Sequence, residues 1–142
     1  MITSRLPLAV LVGLILLLAL TGNLFSRSPW AIAAQAVALG VNLWARRSFP
    51  DGAFRIEAAP AGRGTIRRGP YAFVRHPMYA SALLFIWAGI LTHVKVWTVA
   101  LGIADTVLII ARVVAEERLL RDGYADYKDY VRTTKALVPF IV

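Results

Sequence analysis

The chain is 142 residues long, enough for one compact unit, and 58% of it is hydrophobic, too apolar for an ordinary soluble domain. It has no cysteine and two histidines, which excludes a disulfide framework and a thiolate metal site and argues against a multi-histidine centre. The formal charge of +8 invites a nucleic-acid partner, but no RNA- or DNA-binding motif accompanies it.

Crossing the hydrocarbon core of a bilayer takes roughly 20 helical residues, fewer where the flanks snorkel. Leu6 to Leu24 is uncharged and long enough for a first span. Arg5 and the apolar run behind it also have the outline of a signal peptide, but "ALTGN" offers no small-x-small cleavage site, so a membrane anchor is expected. Trp30 to Trp44 is shorter, but tryptophan brackets both ends and Arg46 and Arg47 follow, as at a membrane interface. Its Gln35 and Asn42 share one helical face among alanines and Gly40, which predicts interhelical hydrogen bonds and close packing.

A cytoplasmic loop is expected over 46–76, where "PDG" and "APAGRG" mark turns and arginines abound. Such length usually serves a function, and the loop is placed to cover a site. Met78 to Thr92 and Trp97 to Val114 are the third and fourth spans, a hairpin closed by "THVK". In the fourth, Asp105, Ile109, Arg112 and Glu116 form one stripe, and an acid inside a span should face protein or water. Gly123 should end or bend this helix. In the C-terminal segment 115–142, Tyr124, Tyr127, Tyr130 and Val131 recur at helical spacing, as on an interfacial helix with a tyrosine edge.

The fold class is therefore all-α: one integral membrane helical bundle over 1–142, with four transmembrane helices and a C-terminal interfacial helix. Arginine and lysine crowd the long loop and the C-terminal segment, whereas the two short opposite loops hold only Arg27 and Lys95. The positive-inside pattern puts both termini in the cytoplasm, in a bacterial or archaeal inner (cell) membrane.

The densest polar chemistry lies in "IRRGPYAFVRHPMYASALLF", at the mouth of the third span. Pro77 suits the first helical turn, so a helix N-terminus should open beside Arg75 and His76, with Tyr79 about one turn further in. The antiparallel fourth span should bring Arg112, Glu116 and Glu117 to the same end. Acids and tyrosines suit a cationic ligand, and arginines and a helix start suit an anionic one. A ligand with both charges, met by an apolar partner from the bilayer, fits this combination.

"GPYAFVRHPMY", followed by "RVVAEERLL" and "GYADYKDYV", closely resembles the isoprenylcysteine carboxyl methyltransferases and their phospholipid N-methyltransferase relatives. The resemblance runs from Thr65 to the C-terminus through Gly69, Tyr71, Arg75, His76, Pro77 and Tyr79. It continues through Arg112, Glu116, Glu117, Gly123, Tyr127, Tyr130, Val138 and Pro139. It implies methyl transfer from S-adenosylmethionine to a lipophilic acceptor, first of all a prenylated cysteine carboxylate, with a phospholipid amine or another small lipophilic acceptor as alternative. By the same resemblance Gly69, Tyr71, His76, Pro77, Tyr79, Glu116 and Glu117 belong to the cofactor site. Arg75, Arg112 and the two glutamates are the catalytic candidates. The expected partners are an acceptor entering from the bilayer and membrane lipids, with no nucleic acid and with oligomerisation left open. Ser81 departs from a glycine found in many family members and bears on substrate access. A non-catalytic scaffold or lipid-binding protein is the alternative of another class, and it predicts no cofactor affinity.

Overall fold

In the computed structural model, which describes residues 2–49 and 66–137, helix α1 runs over Ile2–Leu20, α2 over Pro29–Arg47, α3 over Pro77–Ile90, α4 over Val96–Gly123 and α5 over Tyr127–Thr133. A single 3-10 turn, Gly69–Ala72, precedes α3, and there is no strand among the described residues. Most of the expected loop, 50–65, lies outside the described residues, as do Val138 and Pro139.

Helix α1 ends four residues before the limit expected of the first span, at Leu20 rather than Leu24. Gly22 adopts φ +71, its N–H bonds Ala19 O at 3.0 Å, and Asn23 N–H bonds Leu18 O at 2.9 Å. This left-handed cap satisfies the last carbonyls and turns the chain back, and Leu24 packs beside Leu18 in the core. Helix α2 begins at Pro29, where a missing N–H costs nothing, and closes on Arg46 and Arg47.

Helix α2 packs most extensively against α3, and α4 packs on both α1 and α3. The polar pair read from the sequence makes the first of these contacts. Gln35 Nε2 donates to Leu24 O at 2.7 Å and Phe85 O at 3.3 Å, and Asn42 Nδ2 donates to Ser81 Oγ at 3.1 Å. Ser81 is buried in that seam and also donates to Met78 O. Gly89 lies so close to the Leu24 carbonyl that a Cβ there would stand 2.0 Å from the oxygen.

Two apolar clusters fill the bundle. Leu18, Leu24, Ile86 and Ile90 form one, and Leu11, Ile109 and Val113 form the other, packed against Tyr79 and Leu137. Thr98 ties the α3–α4 turn by accepting from Lys95 N–H at 3.0 Å and donating to His93 O at 2.9 Å. Trp87 Nε1 donates to Thr106 Oγ1 at 3.0 Å between the two helices.

Helix α4, at 28 residues, extends about 42 Å on the helical rise, more than the roughly 30 Å hydrocarbon core. It is long and apolar enough to cross a membrane, whereas Leu8–Leu20 and Pro77–Ile90 are shorter apolar stretches. The outward faces carry Leu16, Leu17, Ile32, Val37, Leu39, Val107 and Ile110 exposed, an apolar exterior that a water-soluble bundle would have to cover. The charged continuation beyond Val114 belongs to the same helix and ends at Gly123, as expected. Asp105 is fully buried on the inner stripe of α4, and neither carboxylate oxygen has a hydrogen-bond partner.

Candidate active site

The site is assembled where the segment before α3 meets the end of α4 and the C-terminal segment. Gly69 has φ +62, and a Cβ there would lie 2.1 Å from Ser48 Oγ, so glycine lets the 3-10 turn dock on the end of α2. Arg68 Nε donates to Ser48 O at 2.7 Å, and Tyr71 meets Phe49 edge to face.

Residues Phe73 to His76 then run beside the C-terminal segment. Arg75 N–H donates to Lys135 O at 2.8 Å, His76 N–H to Ala136 O at 3.0 Å, and Lys135 N–H to Phe73 O at 3.3 Å. The contact is an isolated parallel bridge between Val74 and Lys135. Tyr130 adds a bond from its hydroxyl to Tyr71 O at 2.6 Å. Pro77 follows and opens α3, with His76 at its N-cap.

Six of the residues picked out from the sequence converge here. Tyr79 O–H donates to Glu116 Oε1, and Arg112 Nε donates to the Tyr79 oxygen at 3.0 Å. Arg112 Nη2 reaches Glu116 Oε1 at 3.4 Å, and its guanidinium lies over the Tyr79 ring, 5.9 Å from the centroid. His76 stands between the acids, with Nδ1 3.7 Å from Glu116 Oε2 and Nε2 3.5 Å from Glu117 Oε1. The second is an ion-pair distance and not a hydrogen bond, so the buried Nε2 has no hydrogen-bond partner. Arg75 Nε donates to Glu117 Oε1 at 2.8 Å, and Arg121 approaches Glu117 Oε2 at 3.3 Å. The side chains of Glu117 and Glu116 are only 13% and 18% exposed, so both carboxylates act in a medium where their charge is felt strongly.

Several expectations need correction. Arg75 does not stand free beside the helix start to meet a ligand carboxylate. Its guanidinium is turned onto Glu117 and, through Nη1, onto the carbonyls of Thr134 and Val131. Gly69 faces α2 through Trp44 and Ser48. Tyr71 is nearer, its hydroxyl close enough to feel the charge of Glu116. The tyrosines of the C-terminal segment are not an exposed interfacial edge. Helix α5 begins only at Tyr127, Tyr124 caps α4, and Tyr127 and Tyr130 are buried, 1% and 4% exposed. Burial pushes the Tyr71 and Tyr130 hydroxyls above their ordinary range, and burial with the charge of Glu117 pushes Tyr127 up to about 12. All three hold their protons at neutral pH. What covers Arg75 and His76, among the described residues, is the C-terminal segment.

Residues 8–127 match the sequence profile of the phospholipid methyltransferases. The chain belongs to the phospholipid methyltransferase family. That family is one of methyltransferases, of a kind that generally draws the methyl group from S-adenosylmethionine. One relative is the cobalt-zinc-cadmium resistance protein CzcN of Cupriavidus metallidurans. It is 32% identical over 75 residues, covering 52% of this chain and 35% of the relative. No solved structure matches.

The donor set fits S-adenosylmethionine. Glu116, Glu117 and the Tyr79 ring suit its ammonium and sulfonium cations, and the unpartnered His76 Nε2 is a buried polar atom for a ligand to satisfy.

Proposed function

We propose that this family member transfers a methyl group from S-adenosylmethionine to a lipophilic acceptor at the cytoplasmic membrane face. The proposal has α1 to α4 all crossing the bilayer and both termini in the cytoplasm. One observation carries it: His76 and Tyr79 at the start of α3 meet Arg112, Glu116 and Glu117 at the end of α4 in a largely buried cluster beneath an apolar bundle. The bound cofactor supplies an electrophilic methyl carbon. His76, Tyr79, Glu116 and Glu117 hold and orient it, and the cover of the C-terminal segment excludes water, so positioning supplies most of the acceleration.

An amine acceptor is favoured. Both arginines that an acceptor carboxylate would need are engaged, Arg75 by Glu117 and the tail carbonyls, Arg112 by Tyr79 and Glu116. An amine must shed a proton, and Glu116 Oε2, facing His76 Nδ1 at 3.7 Å, is the atom to receive it. The carboxylate of a prenylated cysteine is the second reading, with Arg112, 3.0 Å from the Tyr79 hydroxyl, as the cation it would meet.

The test is S-adenosylmethionine calorimetry on detergent-purified protein beside His76→Ala and Glu117→Gln. Micromolar binding lost in both variants supports the cofactor site. No binding by folded wild type, in detergent or lipid, would sink the methyltransferase reading and favour a scaffold. Labelled methyl transfer to lipid extracts then separates the acceptors, because a methyl ester is base-labile and a methylated amine is not.

A further inference from the structure

One buried ionisable group takes no part in the proposed reaction. Asp105 is 0% exposed, and neither carboxylate oxygen has a hydrogen-bond partner. An acid held that way inside an apolar bundle costs free energy that a leucine would not incur, so packing alone does not account for it. Arg112, Ile109 and Asp105 follow one another on a single buried stripe of α4. On the helical rise the acid therefore lies about 10 Å deeper in the bundle than Arg112.

The stretch between the two is an apolar floor of Leu11, Ile109 and Val113, with Tyr79 and Leu83 packed against it. Tyr79 also belongs to the polar cluster, where its hydroxyl meets Glu116 and Arg112, so the floor starts where the acids end. Helix α1 covers this floor through Leu11 and Ile15, and Ile15 packs against both apolar clusters, which on α4 lie to either side of Asp105. The two seams of the bundle differ. Gln35 and Asn42 tie α2 to α3, whereas α1 is apolar at every position from Leu8 to Leu20 and meets α4 through that stretch by packing. Within a bilayer such packing is exchanged for a lipid-like chain at little cost, because hydrocarbon replaces hydrocarbon.

Resting on the amine-acceptor reading, we infer that the apolar tail of the acceptor takes the place of Leu11 on this floor and that Asp105 limits its length. A tail that stops short of Asp105 leaves room for water where α1 has yielded, and the carboxylate gains the partners it lacks. A tail that runs past Asp105 keeps the acid dry and bears that cost in full. The acceptor class is therefore a lipophilic amine whose apolar part reaches about 10 Å from the reacting nitrogen, not a lipid with full-length acyl chains.

The test compares wild type with Asp105→Leu, as full-length protein in detergent, by labelled methyl transfer from S-adenosylmethionine to hexylamine and to hexadecylamine. The first tail ends short of Asp105, and the second runs well past it. Asp105→Leu should raise the hexadecylamine-to-hexylamine ratio of kcat/KM about tenfold over wild type. Comparing ratios between proteins cancels the different partitioning of the two amines into micelles. Asp105→Asn keeps the volume and should raise the ratio by less, so the test stands even if the leucine variant yields no folded protein. A ratio unchanged in both variants, whether both rates hold or both fall, overturns the inference and leaves the methyltransferase reading intact. Methylation of neither amine by a wild type that binds S-adenosylhomocysteine overturns the inference and the amine reading together. A wild type that binds no S-adenosylhomocysteine overturns the cofactor reading as well.

Discussion

His76 faces Glu116 through one ring nitrogen and Glu117 through the other, so a single side chain at the start of α3 stands between both acids. Arg75 beside it does the opposite work, facing away from the helix start to join Glu117 with the C-terminal segment. Removing it takes the closest cation from Glu117 and a donor from two carbonyls. Arg75→Ala should therefore lower stability by roughly 3 kcal/mol. Arg75→Lys should recover part of that loss, since an ammonium can meet Glu117 but cannot also span both carbonyls. Thermal unfolding in detergent reads both variants, and equal stability of Arg75→Ala and wild type would discard this account. Asp105 gives a prediction of the other sign. Its carboxylate is fully buried with neither oxygen partnered, so Asp105→Asn, which keeps the volume and removes the acid, should raise the melting temperature. An unchanged or lower value would mean that Asp105 meets a partner in the membrane.

At the scale of elements, the α2–α3 pair is the most tightly specified part of the bundle. Gln35 reaches across to the carbonyls of Leu24 and Phe85, and Gly89 admits the Leu24 carbonyl against the α3 backbone. Gln35→Ala leaves Leu24 O without that donor and should cost about 1–3 kcal/mol. Gly89→Val places carbon atoms where that backbone oxygen stands, a clash that no side-chain rotation relieves, and should cost at least as much. Far less purified folded protein from Gly89→Val than from wild type is the expected result; equal yield and melting temperature would contradict it. The polar face of α2 was legible because Gln35 and Asn42 are seven residues apart, but their partners were not. A helical period says which residues share a face, not what that face meets.

At the scale of the molecule, the apolar exterior and the length of α4 suit a bilayer, and the charge asymmetry is the basis of the proposed orientation. The chain has no native cysteine, so single cysteines can report sidedness directly. Val94→Cys in the α3–α4 turn should react with a membrane-impermeant maleimide from outside intact cells. Lys128→Cys in α5 should react only after permeabilisation. Labelling of both from the same side would refute the proposed topology.

The sequence by itself determined the helical class, the hairpin of α3 and α4 and the meeting of "RHPMY" with "RVVAEE", because hydrophobic runs, proline and charge spacing are local signals. It also carried the family resemblance that the profile match bears out. Only the tertiary structure decided that Arg75 is a brace to the tail, that Gly69 belongs to the α2 contact, and that the tyrosines of α5 are buried. The physical reason is the same in each case. A side chain's partner depends on which distant backbone comes to lie beside it, here the carbonyls of 131–136 against Arg75 and His76, and nothing in the spacing of residues along one helix encodes that approach.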